Sequence, residues 1–314
     1  MEIGFVGLGR MGGNMVHRIK RDSDHGVVAF DPSQEAVQAA VSAGASGAGS
    51  LQELVSRLQP PRAVWIMVPA GQITQQTIES LLGLLTEEDM IADGGNSKWT
   101  ESVQRHAQCA EHGIEFVDVG TSGGVWGLEV GYCMMVGGEP EPVDRLAPVL
   151  DVLAPRGPPA EPDAQPVVGW ARMGGPGAGH FVKMVHNGIE YGLMQAYAEG
   201  FELLHKCEYG LDVERIANLW GQGSVVRSWL LELAARAFEA DGSDLHALEG
   251  YVDDSGEGRW TLAAGIDHDV PMPALTAALF ARFSSRGNGD YAARMLAALR
   301  NQFGGHAVKA PPKP

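Results

Sequence analysis

Glu2-Ile3-Gly4-Phe5-Val6-Gly7-Leu8-Gly9-Arg10-Met11-Gly12 is the stretch that decides the fold. Residues 2–6 form a short apolar run of strand type, and three glycines follow in a GxGxxG spacing. Asn14 to Arg18 then reads as helix, and Val27-Val28-Ala29-Phe30 is a second apolar run that ends at Asp31. Strand, turn, helix and strand in that order make a βαβ unit. The glycine spacing alone is common. Inside such a unit, with an acidic residue roughly 20 positions further on, it is the fingerprint of a dinucleotide site. The turn must be tight, the backbone must approach a pyrophosphate, and the helix N-terminus must offer free N–H groups to the anion. Gly7, Leu8, Gly9, Arg10, Met11 and Gly12 are therefore candidate cofactor-binding residues, with a ligand-free glycine turn as the competing explanation.

The alternation continues outward from this unit. Glu35 to Ala43 and Leu51 to Leu58 are predicted helices, Ala63 to Val68 a strand, Gln75 to Leu85 a helix and Met90 to Ala92 a strand. A helix from Trp99 to His112, strands at Glu115–Val119 and Tyr132–Val136, and a helix near Pro142–Val152 follow. Strands alternating with helices imply an α/β fold, a Rossmann-type doubly wound and mostly parallel sheet covered on both faces. Pro155 to Pro166 holds five prolines in twelve residues and reads as an exposed connector. From His180 onward the texture is helical, with long periodic stretches at Phe181–Leu204, Val225–Phe238 and Leu275–Ser284. The expected division is a dinucleotide-binding domain over 1–165, an all-α substrate-binding and dimerisation domain over 166–306, and a frayed tail over 307–314.

Composition narrows the function. The chain has 314 residues, 45% hydrophobic and 20% charged, so it can bury a sizeable core and is not a disordered chain. Its formal net charge of −16 is the wrong sign for a protein whose main partner is a nucleic acid or an anionic membrane. An anionic substrate must then be gripped locally. Cys109, Cys133 and Cys207 are odd in number, widely spaced and outside any CxxC or Cys/His pattern. They are expected to be reduced, with no metal site, in a cytoplasmic protein. No stretch approaches the roughly 20 apolar residues of a membrane helix, and no leader is expected at the N-terminus.

Four clusters carry chemistry. The first is the glycine turn with Asp31, whose carboxylate would accept ribose hydroxyls and repel a 2′-phosphate, while Pro32-Ser33 supplies no cation; this favours NAD over NADP. An Asp-Pro turn starter is the plainer reading of Asp31. The second, Asp93-Gly94-Gly95-Asn96-Ser97, and the third, Gly120-Thr121-Ser122-Gly123-Gly124, each follow a predicted strand and offer N–H groups and short polar side chains to a polyhydroxylated or carboxylated ligand. Each also reads as a simple cap and turn. The fourth runs from Gly177 to Tyr191. At about 100° per residue Lys183, Asn187, Glu190 and Met194 fall on one line, flanked by His186 and Tyr191. Phe181, Val182, Met184, Val185 and Ile189 opposite are apolar enough to be buried, so the polar line is expected to face a pocket rather than form a solvated stripe. A desolvated lysine near a carboxylate can exchange protons near neutral pH.

The glycine turn, Gly94-Gly95-Asn96-Ser97, Ser122-Gly123-Gly124 and above all Gly177 to Tyr191 resemble decarboxylating 6-phosphogluconate dehydrogenase. Gly258-Arg259-Trp260-Thr261, Phe280-Ala281-Arg282 and Arg300-Asn301-Gln302-Phe303-Gly304-Gly305-His306 extend the resemblance over nearly the whole chain, in the short form of the family. The resemblance implies Lys183 as general base and Glu190 as general acid. It implies substrate contacts from Asn96, Ser122, Gly123, Gly124, His186 and Asn187, and phosphate contacts from Tyr191, Arg282, Arg300 and His306. It also places Val68 and Asn96 at the cofactor, and implies a homo-oligomer, a dimer or larger, in which Arg300 and His306 reach the partner's site. Asp31-Pro32-Ser33 departs from the Asn-Arg-Thr type run of NADP-using members. Asp254-Ser255 stands where longer members carry a phosphate-binding lysine. A dehydrogenase of smaller 3-hydroxy acids and a nucleotide-sensing module without turnover are the alternatives. Arg282, Arg300 and His306 argue against the first, and the acid/base pair against the second.

Overall fold

β1 (Glu2–Val6) shows why the sheet is covered on both faces: with a period of two, Ile3 and Phe5 enter one apolar cluster and Val6 the other. The computed structural model describes residues 1–157 and 168–304, in two units that divide at Val185 and His186. In the first unit β1 is followed by α1 (Arg10–Asp22), β2 (Gly26–Phe30), α2 (Gln34–Ser42), β3 (Ser46–Gly47), α3 (Leu51–Arg57), β4 (Ala63–Ile66), α4 (Gln72–Leu82), β5 (Met90–Asp93) and α5 (Trp99–Ala110). Then come β6 (Glu115–Ser122), the short α6 (Gly127–Val130), β7 (Cys133–Gly137), α7 (Pro140–Leu153), β8 (Trp170–Gly174) and the start of α8 (Ala178–Lys206).

The strand order is β3-β2-β1-β4-β5-β6-β7-β8, and every neighbouring pair is parallel except β6 with β7. The order reverses between β1 and β4, which opens a crevice at their carboxyl ends. Met15, Val16 and Ile19 of α1 and Leu146, Val149 and Leu150 of α7 fill one face. Leu54 of α3, Ile78 and Leu81 of α4 and Cys109 of α5 fill the other. Phe5 stacks on Trp65 at 5.9 Å between ring centroids, which adds about 0.5–1.5 kcal/mol to the burial of the two rings.

From His186 onward the described elements are helices: the rest of α8, α9 (Val213–Trp220), α10 (Trp229–Asp241), α11 (Glu257–Asp267), α12 (Pro273–Ser285) and α13 (Asp290–Gly304). Asp212 caps α9 through the Arg215 N–H and Ser228 caps α10 through the Leu231 N–H, while Pro273 begins α12 where its missing N–H costs nothing. Phe201, Val213, Ala217, Leu231, Ala235 and Phe238 form one core, and Tyr191, Ala278 and Leu279 a second.

Four details differ from the expectations. The Val225–Phe238 helix starts at Trp229, because the Ser228 hydroxyl takes up the first free N–H and leaves Val225 and Val226 outside. β6 runs on to Ser122, so Thr121 and Ser122 lie in a strand, paired with Met134 and Cys133. β8 joins the sheet beyond residue 165, and its half-exposed Trp170-Ala171-Arg172-Met173-Gly174 carries no apolar pattern to announce it. Ile189 is 52% exposed rather than buried. Residues 158–166 of the proline-rich connector and the expected boundary at 165, like the tail over 307–314, lie outside the described residues.

Candidate active site

The first group of candidate residues assembles where the strand order reverses. Gly7 takes φ +93°, and a Cβ there would lie 2.4 Å from the Met67 carbonyl oxygen. A Cβ on Gly12 would lie 2.0 Å from the Gly7 carbonyl oxygen. These two glycines let β1, α1 and the turn after β4 meet at backbone distance. Gly9 is different: nothing lies within 4 Å of a Cβ built on it. It is the N-cap of α1, no side chain caps that end, and the first turn carries no acid, so its N–H groups suit an anion. A cavity of about 510 Å³ borders Leu8, Gly9 and Arg10 between α1 and α2, with Met11 packed against the core behind it.

Asp31 both braces this turn and marks its far end. Its Oδ2 accepts the Leu8 N–H at 2.7 Å and its Oδ1 the Ser33 N–H at 2.8 Å. Each oxygen keeps a second lone pair for a ribose hydroxyl. Val68 adjoins: a Cβ on Gly7 would lie 2.9 Å from Val68 Cγ1, and one on Gly95 3.1 Å from the Val68 carbonyl oxygen. Asn96 is exposed between buried Gly95 and Ser97, while Asp93, quoted with them as a ligand loop, is fully buried and turned inward.

α8 is anchored to the sheet edge by a carboxylate. Fully buried Asp118 of β6 accepts the N–H of Gly177 at 2.7 Å and of His180 at 2.8 Å, both at the first turn of the helix. A negative charge at a helix N-terminus is favourable there. Glycines close the remaining gap: a Cβ on Gly179 would lie 2.4 Å from the Met135 carbonyl oxygen and one on Gly137 2.6 Å from the Gly179 nitrogen. Gly120 faces Lys183 directly, since a Cβ on Gly120 would lie 2.4 Å from Lys183 Cβ. Lys183 thus stands against β6 at Gly120. Burial pushes the Cys133 thiol up, and the Lys183 ammonium nearby pulls it partly back. Buried Ser102 and His180 share a 2.7 Å hydrogen bond behind this contact.

In the second unit another group forms along α8. His186 Nδ1 lies 3.0 Å from Asn187 Oδ1, and Asn187 Nδ2 donates to Glu257 Oε1 at 2.9 Å. Glu190 Oε2 is 3.9 Å from His186 Nδ1, one turn along. Tyr191 is buried under the Arg282 guanidinium, 3.6 Å from its ring centroid, and its hydroxyl accepts the Ser255 N–H at 3.4 Å. Glu257, 2% exposed, also accepts the Ser255 hydroxyl. Arg300 is exposed on α13, and no hydrogen bond among the described residues joins it to Tyr191 or Arg282. His306 lies outside the described residues.

Residues 2–157 match the family model of the NAD binding domain of 6-phosphogluconate dehydrogenase, and residues 179–293 match that of its C-terminal domain. The chain belongs to the 6-phosphogluconate dehydrogenase family. A relative from Haloferax volcanii, named an NAD(+)-dependent decarboxylating 6-phosphogluconate dehydrogenase, is 45% identical over 308 residues, covering 98% of each chain. The NADP(+)-dependent decarboxylating enzyme of Bacillus subtilis is 35% identical over 90% of this chain and 61% of its own. A solved Plasmodium falciparum 6-phosphogluconate dehydrogenase superimposes with a TM-score of 0.80 at 25% identity, over all of this chain and 67% of that one.

Asp118, Gly137 and Glu257 were not singled out from sequence, although each shapes one of these groups. Asp118 left a trace, a lone acid inside the apolar run Phe116-Val117-Asp118-Val119. Glu257 left none, because an exposed helix start often carries an acid.

Proposed function

We propose that this chain converts 6-phosphogluconate to ribulose 5-phosphate and CO₂ with reduction of NAD. The observation that carries the reading is the anchoring of Lys183 against the carboxyl edge of the sheet by Asp118 and Gly120. The residues present fit the cofactor: Gly9 faces open space at an uncapped helix N-terminus, and Gly7 to Gly12, Asp31, Val68 and Asn96 would hold it. When bound, NAD supplies the hydride acceptor. Asp31 would repel a 2′-phosphate, and Pro32 and Ser33 after it supply no cation to meet one.

Lys183, as the neutral amine, takes the proton of the C3 hydroxyl as that alcohol becomes a ketone. The resulting 3-keto acid loses CO₂ because the electrons of the breaking bond flow into the new carbonyl. Lys183, now an ammonium, donates a hydrogen bond to that oxygen and stabilises the enediolate. Glu190 then delivers a proton to the former C2, which becomes C1 of ribulose 5-phosphate. Asn96, Ser122, Gly123, Gly124, His186 and Asn187 orient the carboxylate and hydroxyls. Tyr191, Arg282, Arg300 and His306 hold the phosphate, whose oxygens match the arginine fork in pairs. The chain works in this reading as a homo-oligomer in the cytoplasm, with Arg300 and His306 completing a neighbouring copy's site.

Initial rates with NAD and with NADP on 6-phosphogluconate test this, together with Asp31→Asn. One CO₂ per NADH, a preference for NAD and its erosion in the variant are expected. NADH without CO₂, or no turnover, overturns the reading.

A further inference from the structure

The turn that carries Asn96 is held by a buried cation. Arg105 of α5 is 2% exposed, yet its guanidinium makes five hydrogen bonds. Nη1 donates to Asp93 Oδ2 at 3.2 Å and to Ser97 Oγ at 2.9 Å. Nη2 donates to the Gly71 carbonyl at 3.3 Å and to Glu101 Oε2 at 2.8 Å, and Nε to Gln75 Oε1 at 3.3 Å. Asp93 completes the frame, taking the Gly95 N–H at 3.1 Å and the Ser97 hydroxyl at 2.7 Å. The same guanidinium therefore grips the turn after β4 at Gly71, the first turn of α4 at Gln75, and the turn after β5 at Ser97. Asn96 is the exposed residue of a turn whose other members are buried in this frame.

A desolvated arginine is costly unless its donors are answered, and here the acceptors come from both connections, Gly71 and Gln75 after β4 and Asp93 and Ser97 at the end of β5, besides Glu101 on its own helix. A lysine carries the same charge but no planar fork, so it cannot serve both turns at once. We propose that Arg105 is a positioning residue for the reaction: it locks the start of α4, with Gly71 before it, to the Gly94–Ser97 turn and so fixes the Asn96 side chain for cofactor and substrate. The inference rests on the role given to Asn96 above.

The test is a double-mutant cycle of Arg105→Lys with Asn96→Ala, reading kcat/KM for 6-phosphogluconate, the NADH dissociation constant by fluorescence, and the thermal midpoint. Arg105→Lys alone is expected to lower kcat/KM about 100-fold, the cost of misplacing a group by about 1 Å, and to weaken NADH binding several-fold. On the Asn96→Ala background its further effect should stay within about threefold in both readouts, because the residue it acts through is gone. Ser97→Ala gives the same non-additive pattern at smaller size and replaces Arg105→Lys if that variant does not fold. Additive losses overturn the inference, as do wild-type kcat/KM and NADH affinity in the variants. Wild-type turnover is measured first. Its absence refutes the proposed reaction and leaves the NADH cycle to read the coupling, whereas wild-type turnover with additive variants overturns this inference alone.

Discussion

Gly120→Ala is the sharpest test of how Lys183, the proposed base, is placed. Gly120 sits in β6 opposite Met135, in ordinary strand pairing, so alanine meets no backbone strain there. Its methyl would instead lie 2.4 Å from Lys183 Cβ, 2.7 Å from the Gly179 carbonyl oxygen and 3.1 Å from Lys183 Cγ. Non-bonded carbons rest at about 3.5–4.0 Å, so α8 or β6 must yield by about 1 Å. Overpacking of this kind costs about 1–3 kcal/mol of stability. The larger effect is on rate, because a displacement of about 1 Å at a reacting group costs on the order of 100-fold. The assay is NADH formation at saturating NAD and 6-phosphogluconate, with the thermal midpoint recorded. Gly200→Ala is the control on the same helix: nothing lies within 4 Å of its Cβ, and it should gain about 0.5–1 kcal/mol with kcat unchanged. A Gly120→Ala enzyme that folds and keeps kcat within about threefold of wild type would refute the claim that this contact sets the position of Lys183.

Three further outcomes follow from the same geometry. Lys183→Met leaves the burial of Cys133 unopposed, so its thiol should rise further and its alkylation near pH 8 should slow, read by mass spectrometry of the labelled peptide; unchanged labelling counts against the proximity of the two groups. Asp89 is fully buried; although burial alone would raise its carboxyl, the N–H groups of Thr86 and Arg62 and the Arg62 guanidinium outweigh it and hold the carboxyl below its usual value. Its contribution to stability is therefore present above its ordinary pKa of about 4 and shrinks as pH falls below that, so Asp89→Asn should cost about 1–3 kcal/mol at pH 7 and progressively less at acid pH, measured by urea unfolding. Arg282→Ala should raise KM for the phosphorylated substrate at least about tenfold while leaving NADH affinity unchanged, as steady-state kinetics and calorimetry will show.

The sequence made the first half of the fold legible because its strands are short apolar runs that alternate with amphipathic helices, and the glycine turn falls where the strand order reverses. The helix with Lys183, Asn187 and Glu190 was legible for the same reason, since spacing alone aligns those residues. What escaped depends on tertiary partners. Whether Asp118 is a surface acid or a buried helix anchor turns on the Gly177 and His180 N–H groups, which lie about sixty residues away in the chain. Arg105 reads as one more charge on an exposed helix until its acceptors are known. Ile189 shows the reverse, an apolar residue that periodicity assigns to the interior but that stands 52% exposed. β8 was invisible because an edge strand that is half in solvent needs no apolar alternation.

The glycine seam at Gly120, Gly137 and Gly179 also governs how the chain can diverge. Where two elements meet through side chains, a change on one is offset by a change on the other, and lineages drift through such pairs. Main chain touching main chain leaves nothing to trade. Libraries aimed at other hydroxy acids should therefore diversify Tyr191 and Arg282, to which the proposed reaction gives the phosphate, and spare the three glycines, so that new specificities inherit an unmoved amine.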